Sequence, residues 1–155
     1  MRRTFAVFGL MALCLLPRAA AAQTTPAAKH EPLHVYLGMW TFHLKDQARR
    51  FAPNDLIGAS YRHVFAATFI NSYDNRAFAG GLQREFARGR SGVFSAALGG
   101  RVGVVYGYDE RFIKLAHETP ILPMVQVYGL FEIGRLGAEV SYTYVVVSVM
   151  GSIRF

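Results

Sequence analysis

Val147-Ser148-Val149-Met150-Gly151-Ser152-Ile153-Arg154-Phe155 ends the chain on a two-residue period. Val147, Val149, Gly151, Ile153 and Phe155 share one face; Ser148, Met150, Ser152 and Arg154 share the other. Strand side chains alternate between faces, so an apolar face backed by a mostly polar one suits a strand between lipid and a lumen. The preceding segment repeats the pattern, setting Leu136, Ala138, Val140, Tyr142 and Tyr144 against Arg135, Gly137, Glu139, Ser141 and Thr143. A soluble antiparallel sheet would alternate in the same way. Composition and context decide between them.

Of 155 residues, 52% are hydrophobic and only 17% charged, and the mean hydropathy is positive. That excludes a disordered chain. It looks like a membrane protein, yet beyond the N-terminus Gly, Arg, Asp, Ser or His interrupts every apolar run before the roughly 18 residues a spanning helix needs. The N-terminus itself reads as a signal peptide over residues 1–22. Arg2 and Arg3 precede an apolar stretch from Phe5 to Leu16, Pro17 breaks it, and Ala20-Ala21-Ala22 offers a cleavage site. Cys14, the sole cysteine, lies inside that stretch behind Leu13, a packing position and not a lipid attachment site. An exported chain this small and without disulfides needs another source of stability, and a bilayer supplies one. The formal charge of +7 also falls by three as Arg2, Arg3 and Arg18 leave. No basic face interleaved with aromatics remains, which argues against a nucleic-acid partner.

Eight strands are expected, near 35–45, 55–62, 64–72, 77–87, 93–107, 121–131, 134–144 and 146–155. Turns are expected at Arg62-His63, Arg88 to Gly92 and Glu132-Ile133. An even number of strands of about 9–11 residues predicts an all-β, eight-stranded antiparallel transmembrane β-barrel over 34–155, after a short leader at 23–33. Closure puts both termini on the periplasmic side and the connections 45–54, 72–77, 107–120 and 144–146 outside. His43 and Ser72 then reach the same outer rim. Turning them inward places Thr41, Met39, Leu37, Val35, Ile70, Thr68 and Ala66 on an apolar lumen wall, with Trp40, Phe42 and Tyr36 toward lipid. Such a wall suits an acyl chain better than a water-filled pore. Arg101, Glu85 and Glu139 face the lumen by alternation, as a paired structural plug. Trp40, Tyr73, Tyr106, Tyr108 and Tyr144 fit an outer aromatic girdle. Pro123 marks either a lateral gap beside strand six or the point just before that strand begins.

In ordered segments the chain resembles the PagP family of lipid A palmitoyltransferases. Met39-Trp40-Thr41-Phe42-His43 is similar to the family's first-strand segment, and Phe69-Ile70-Asn71-Ser72-Tyr73 to its aromatic-x-Asp-Ser-aromatic segment. Ala79-Gly80-Gly81, Pro120-Ile121-Leu122-Pro123 and Val127-Tyr128-Gly129 follow in family order, and the aromatic-ended last strand closes the match. The resemblance spans nearly all of 35–155. It implies a transferase of the Gram-negative outer membrane that moves a palmitoyl chain from a glycerophospholipid donor to lipid A. It also implies His43 and Ser72 as catalytic residues, with the chain held inside the barrel. An imidazole can take the proton of the acceptor hydroxyl, and Ser72 can serve either as nucleophile or as oxyanion donor.

This sequence departs from the family in three places. Asn71, a further catalytic candidate, replaces the family's carboxylate, with Asp74 nearby as a substitute. No amphipathic helix occupies Gln23 to Leu33. The floor that measures chain length falls around Gly80 to Leu82. No cofactor or metal is expected, since His30, His34, His63 and His117 lack companion ligands. Gly99-Gly100-Arg101-Val102-Gly103 lacks the following helix of a nucleotide fingerprint. The terminal Phe155 resembles the signal read by the barrel-assembly machinery, and the expected state is a monomer. Competing readings are a non-enzymatic structural or binding barrel and a lipid A deacylase.

Overall fold

The computed structural model describes residues 32–44, 51–71, 73–108, 119–144 and 146–155. The expected signal peptide and most of the leader lie outside the described residues. Eight strands follow one another: β1 (His34–His43), β2 (Phe51–Tyr61), β3 (Val64–Ile70), β4 (Arg76–Ser91), β5 (Phe94–Tyr106), β6 (Ile121–Ile133), β7 (Leu136–Thr143) and β8 (Val146–Arg154). Each pairs antiparallel with the next, and β1 pairs with β8, from His34 opposite Arg154 to His43 opposite Val146. The sheet is a closed barrel. Among the described residues no helix is long and apolar enough to cross a membrane.

Short hairpins, the start of β1 and the end of β8 share one rim, the turn rim, where Phe155 N–H donates to Leu33 O. The other four connections share the opposite loop rim, as expected; three are longer, and the β7–β8 link is as short as the hairpins. Two hairpins turn later than the sequence suggested: Gly92-Val93 takes only the last residue of the span expected at Arg88 to Gly92, and Gly134-Arg135 lies two residues beyond Glu132-Ile133. The physical reason is φ: Gly92 (+58°) and Gly134 (+63°) take the left-handed conformation that such tight turns demand. Strand β2 starts earlier than expected, because Pro53 and Asn54 pair with Trp40 and Met39 instead of forming a loop.

Two expectations about which side chains line the lumen are overturned. In β1 the pairing register shifts between Leu37 and Met39, around Gly38 at φ +64°. An inserted residue reverses the alternation beyond it. Met39 and Thr41 point inward as expected, but below the bulge Tyr36 and His34 are buried while Leu37 is exposed. In β3 the buried set is Phe65 and Phe69, whereas Ala66 is exposed and Thr68 and Ile70 are only half-buried. The strand alternates into the lumen toward Asn71, one residue out of step with an inward Ser72.

The lumen has three levels. Nearest the loop rim, Met39, Leu56, Phe69, Ala77, Val105, Leu122 and Met150 form an apolar cluster. In the middle Arg101 crosses from β5 to grip Glu139 of β7 with both terminal nitrogens, one at 2.7 Å. The same guanidinium donates to the Tyr36 hydroxyl, Gln83 Oε1 and Gln126 Oε1, each at 3.0 Å. It also lies 4.4 Å from the Tyr128 ring centroid. At the turn rim Glu132 accepts from Ser95 (2.6 Å), Arg88 (2.7 Å) and His34 (3.2 Å). The expected pairing of Arg101 with Glu139 is present; Glu85 binds Arg88 instead. Taking one partner from a buried pair strands the other charge, costing about 3–5 kcal/mol. Glu139→Gln is therefore expected to lower barrel stability by roughly that amount. Arg101→Met combined with Glu139→Leu should recover most of the loss, as read by equilibrium urea unfolding in lipid bilayers.

Candidate functional site

His43 ends β1 at the loop rim, half-buried, two residues beyond the inward Thr41. The Thr41 hydroxyl donates to Asn54 Oδ1 at 2.9 Å, and Asn54 Nδ2 donates to the Ile70 carbonyl. One side chain thus braces three strands, joining the neighbourhood of His43 to the end of β3. That brace stands where the ladder stops: β2 and β3 pair only from Ile57–Thr68 toward the turn rim, leaving Phe51–Leu56 without β3 partners. Asn54 was not legible as a site residue, because Pro53-Asn54-Asp55 is turn chemistry. The signal that points to it is the two-residue period through Asn54, Leu56, Gly58 and Ser60.

Asn71 is 2% exposed, and its amide is fully engaged in holding the loop between β3 and β4. Its Oδ1 accepts from the backbone N–H of Tyr73 (2.9 Å) and of Asn75 (3.1 Å), and its Nδ2 donates to Gly107 O at 2.8 Å. The bond to Gly107 matters because Gly107, at φ +101°, packs so closely on the Arg76 carbonyl that no Cβ would fit. Beyond that bend Tyr108 does not join the expected girdle. It turns inward against Phe69, ring centroids 6.4 Å apart, and covers the chamber. Burial, reinforced by Tyr73, pushes the Tyr108 hydroxyl above the ordinary tyrosine range, so it stays protonated as a donor. Asp74 is exposed in the loop at φ +63°, away from the lumen. Ser72 lies outside the described residues. The structure thus gathers His43, Thr41, Asn54, Asn71 and Tyr108 at the loop-rim end of the barrel.

Below them is a cavity of about 100 Å³, lined among others by Met39, Phe69, Val105, Tyr108, Met124 and Met150. Its floor is Tyr36, Phe65 and Arg101. Phe65 pairs with Gly81 of β4. Pro123 is inside β6, opposite Val104, and not ahead of the strand. Pairing of β6 with β7 ends at Val127–Tyr142, which leaves Ile121–Gln126 unpaired on that side. Pro123 has no N–H to lose there, and the Tyr144 hydroxyl donates to its carbonyl across the gap. Among the described residues no three His, Cys, Asp or Glu side chains converge to hold a metal.

Among solved structures, a designed protein described as "De novo design of transmembrane beta-barrels" is similar in fold. It aligns over 82% of this chain and 98% of its own length, with a TM-score of 0.50 and 14% identity. The fold is that of a transmembrane β-barrel. No protein-family model matches the chain, and no curated protein matches it.

The engagement of Asn71 generates a test. Asn71→Asp keeps the acceptor for Tyr73 and Asn75 but turns a second acceptor against Gly107 O. The expected loss is about 1–3 kcal/mol of stability, with faster hydrogen exchange at the Tyr73 and Asn75 amides. Unchanged exchange would remove Asn71 as the fastening of this loop.

Proposed function

We propose that this barrel is a Gram-negative outer-membrane acyltransferase that moves a palmitoyl or similar chain from a glycerophospholipid to lipid A. The observation that carries the reading is an apolar chamber directly beneath a rim that holds a histidine. A barrel that only braces a membrane gains nothing from an apolar lumen, whereas a fatty chain needs one. The unpaired stretches beside Pro123 and Pro53 supply openings through which lipids would reach the chamber without leaving the bilayer.

In this reading His43 takes the proton from the lipid A hydroxyl as that oxygen attacks the ester carbon. The ester C–O bond of the donor breaks, and the same proton passes to the departing lysophospholipid oxygen. Ser72 acts as oxyanion donor or as an intermediate acyl carrier, and Asn71 serves by holding the loop that carries it. No cofactor takes part. The chamber of about 100 Å³ is below the roughly 300–1,000 Å³ of ordinary ligand sites. A long chain therefore enters only as Met39 and Met150 swing aside, a movement suited to their unbranched thioethers. The exposed Phe155 at the end of β8 would be the handle for the assembly machinery, and the barrel works as a monomer.

A second reading is favoured by the polar layers around Arg101 and Glu132, since a densely paired lumen is what a purely structural barrel would hold. Mass spectrometry of lipid A from cells expressing the chain separates the readings. Added acyl mass is expected; lost acyl mass would mean a deacylase, and no change a structural barrel. His43→Ala should reduce the added mass by about a hundredfold or more while the folded barrel persists in the membrane. Retention of full activity by both His43→Ala and Ser72→Ala would move the site elsewhere.

A further inference from the structure

On the lipid-facing side of the turn rim, β3 and β4 meet at a point that the proposed chemistry does not use. Their ladder runs to Val64 opposite Leu82 and gains one more bond, from Gln83 N–H to His63 O at 2.7 Å. The next positions across the seam are Arg62, in the β2–β3 turn, and Arg84. Gln83 points into the lumen and binds Arg101, so its neighbours Leu82 and Arg84 face outward. Both arginines are exposed. Like charges directly opposite on adjacent strands repel. Among the described residues neither arginine has an acidic partner, because Glu85 is bound to Arg88 and Glu132 is inside the barrel.

A second observation concerns the backbone. Of the three turn-rim hairpins, two place glycine at the left-handed position, Gly92 and Gly134. The third places Arg62 there, at φ +54°. A long side chain in that conformation is strained, and such strain persists where the side chain has a task. The Arg62 guanidinium is held 5.3 Å from the Tyr61 ring centroid, on the outer face and beside the seam. Toward the loop rim from this pair the outer wall is apolar, with Val64, Leu82, Ile57 and Val102 all more than half exposed.

We propose that Arg62 and Arg84 form a binding site for the phosphate of an anionic glycerophospholipid in the leaflet that surrounds the turn rim. Two guanidinium groups bracket one phosphodiester through charge-assisted hydrogen bonds, which removes their mutual repulsion. The acyl chains of the same lipid lie along Val64, Leu82 and Ile57. The wall selects an amphiphile over a free anion. The double positive charge selects a headgroup without an ammonium, because an ammonium would bring a third cation to the pair. This site is separate from the loop-rim chemistry and does not depend on it.

The test uses the full-length barrel folded in neutral detergent, with native mass spectrometry of retained lipid after exposure to phosphatidylglycerol or phosphatidylcholine. The native chain should retain phosphatidylglycerol preferentially. Arg62→Gly and Arg84→Gln should each lower that retention about fivefold, and Arg135→Gln, in another turn, should leave it unchanged. Arg62→Gly should also raise the urea midpoint in lipid-free detergent, since glycine relieves the turn. A merely structural arginine would not give these opposite signs. Equal retention of the two lipids by the native chain, or undiminished phosphatidylglycerol in both seam variants, would overturn the site. So would an equal loss in Arg135→Gln, which would indicate a diffuse cationic belt. Displacement of the lipid by inorganic phosphate alone, at concentrations too low to screen charge, would overturn the role of the apolar wall.

Discussion

The constraint from which this structure follows is the closure of the hydrogen-bond ladder, achieved when β1 pairs with β8 as well as β2. Hydrocarbon offers no partner for a backbone N–H or C=O, so a sheet in a bilayer must end on itself. Closure then separates two solvents for side chains. Outward positions meet lipid and carry Ile57, Leu82, Val102, Val125 and Phe131. Inward positions meet only one another, so a charge there must bring its partner. Arg101 does so with Glu139, and Arg88 does so with Glu132.

Those two charged layers fill the half of the lumen nearer the turn rim and leave the other half apolar. The division matters because a paired layer is a rigid floor. Arg101 is fixed by four polar side chains and stacked on aromatic rings, and it forms the floor of the apolar chamber. At the loop rim the ladder is incomplete in two places, beside Asn54 and beside Pro123, and in each a side chain substitutes for the missing backbone bonds. A side-chain bond across a gap can open without unfolding a strand, which is the property a lateral entrance requires. In the proposed reading, weak closure at one rim serves access and dense pairing at the other serves stability.

How far the site could be read depended on how locally each residue is determined. His43 was placed at the loop rim because it ends the first strand, and β1 does end there; the shared period of Met39, Thr41 and His43 set only their facing. The same reasoning failed for Tyr36 and Leu37, since the bulge at Gly38 reverses the face between them. A glycine in a strand announces a bulge only once its φ is known. In β3 the facing was inferred from Ser72, although the loop is anchored by Asn71, whose three bonds come from residues as distant as Gly107. Tyr108 escaped for a related reason: the bend that turns it inward exists because Gly107 packs on the Arg76 carbonyl across the sheet.

The sequence by itself determined the number of strands, their antiparallel order and which rim carries the short turns. Alternation and turn residues are local properties, and an even count of alternating strands leaves closure as the way to satisfy the backbone. It also determined that Arg101 and Glu139 belong inside. Tertiary structure alone decided that Glu85 leaves the expected plug for Arg88, where the ladder gives out, that Asn54 spans one such gap, and that Arg62 stands opposite Arg84. Each of these depends on register between strands. Register is set by bulges and turns acting around the whole ring, and no single segment contains it.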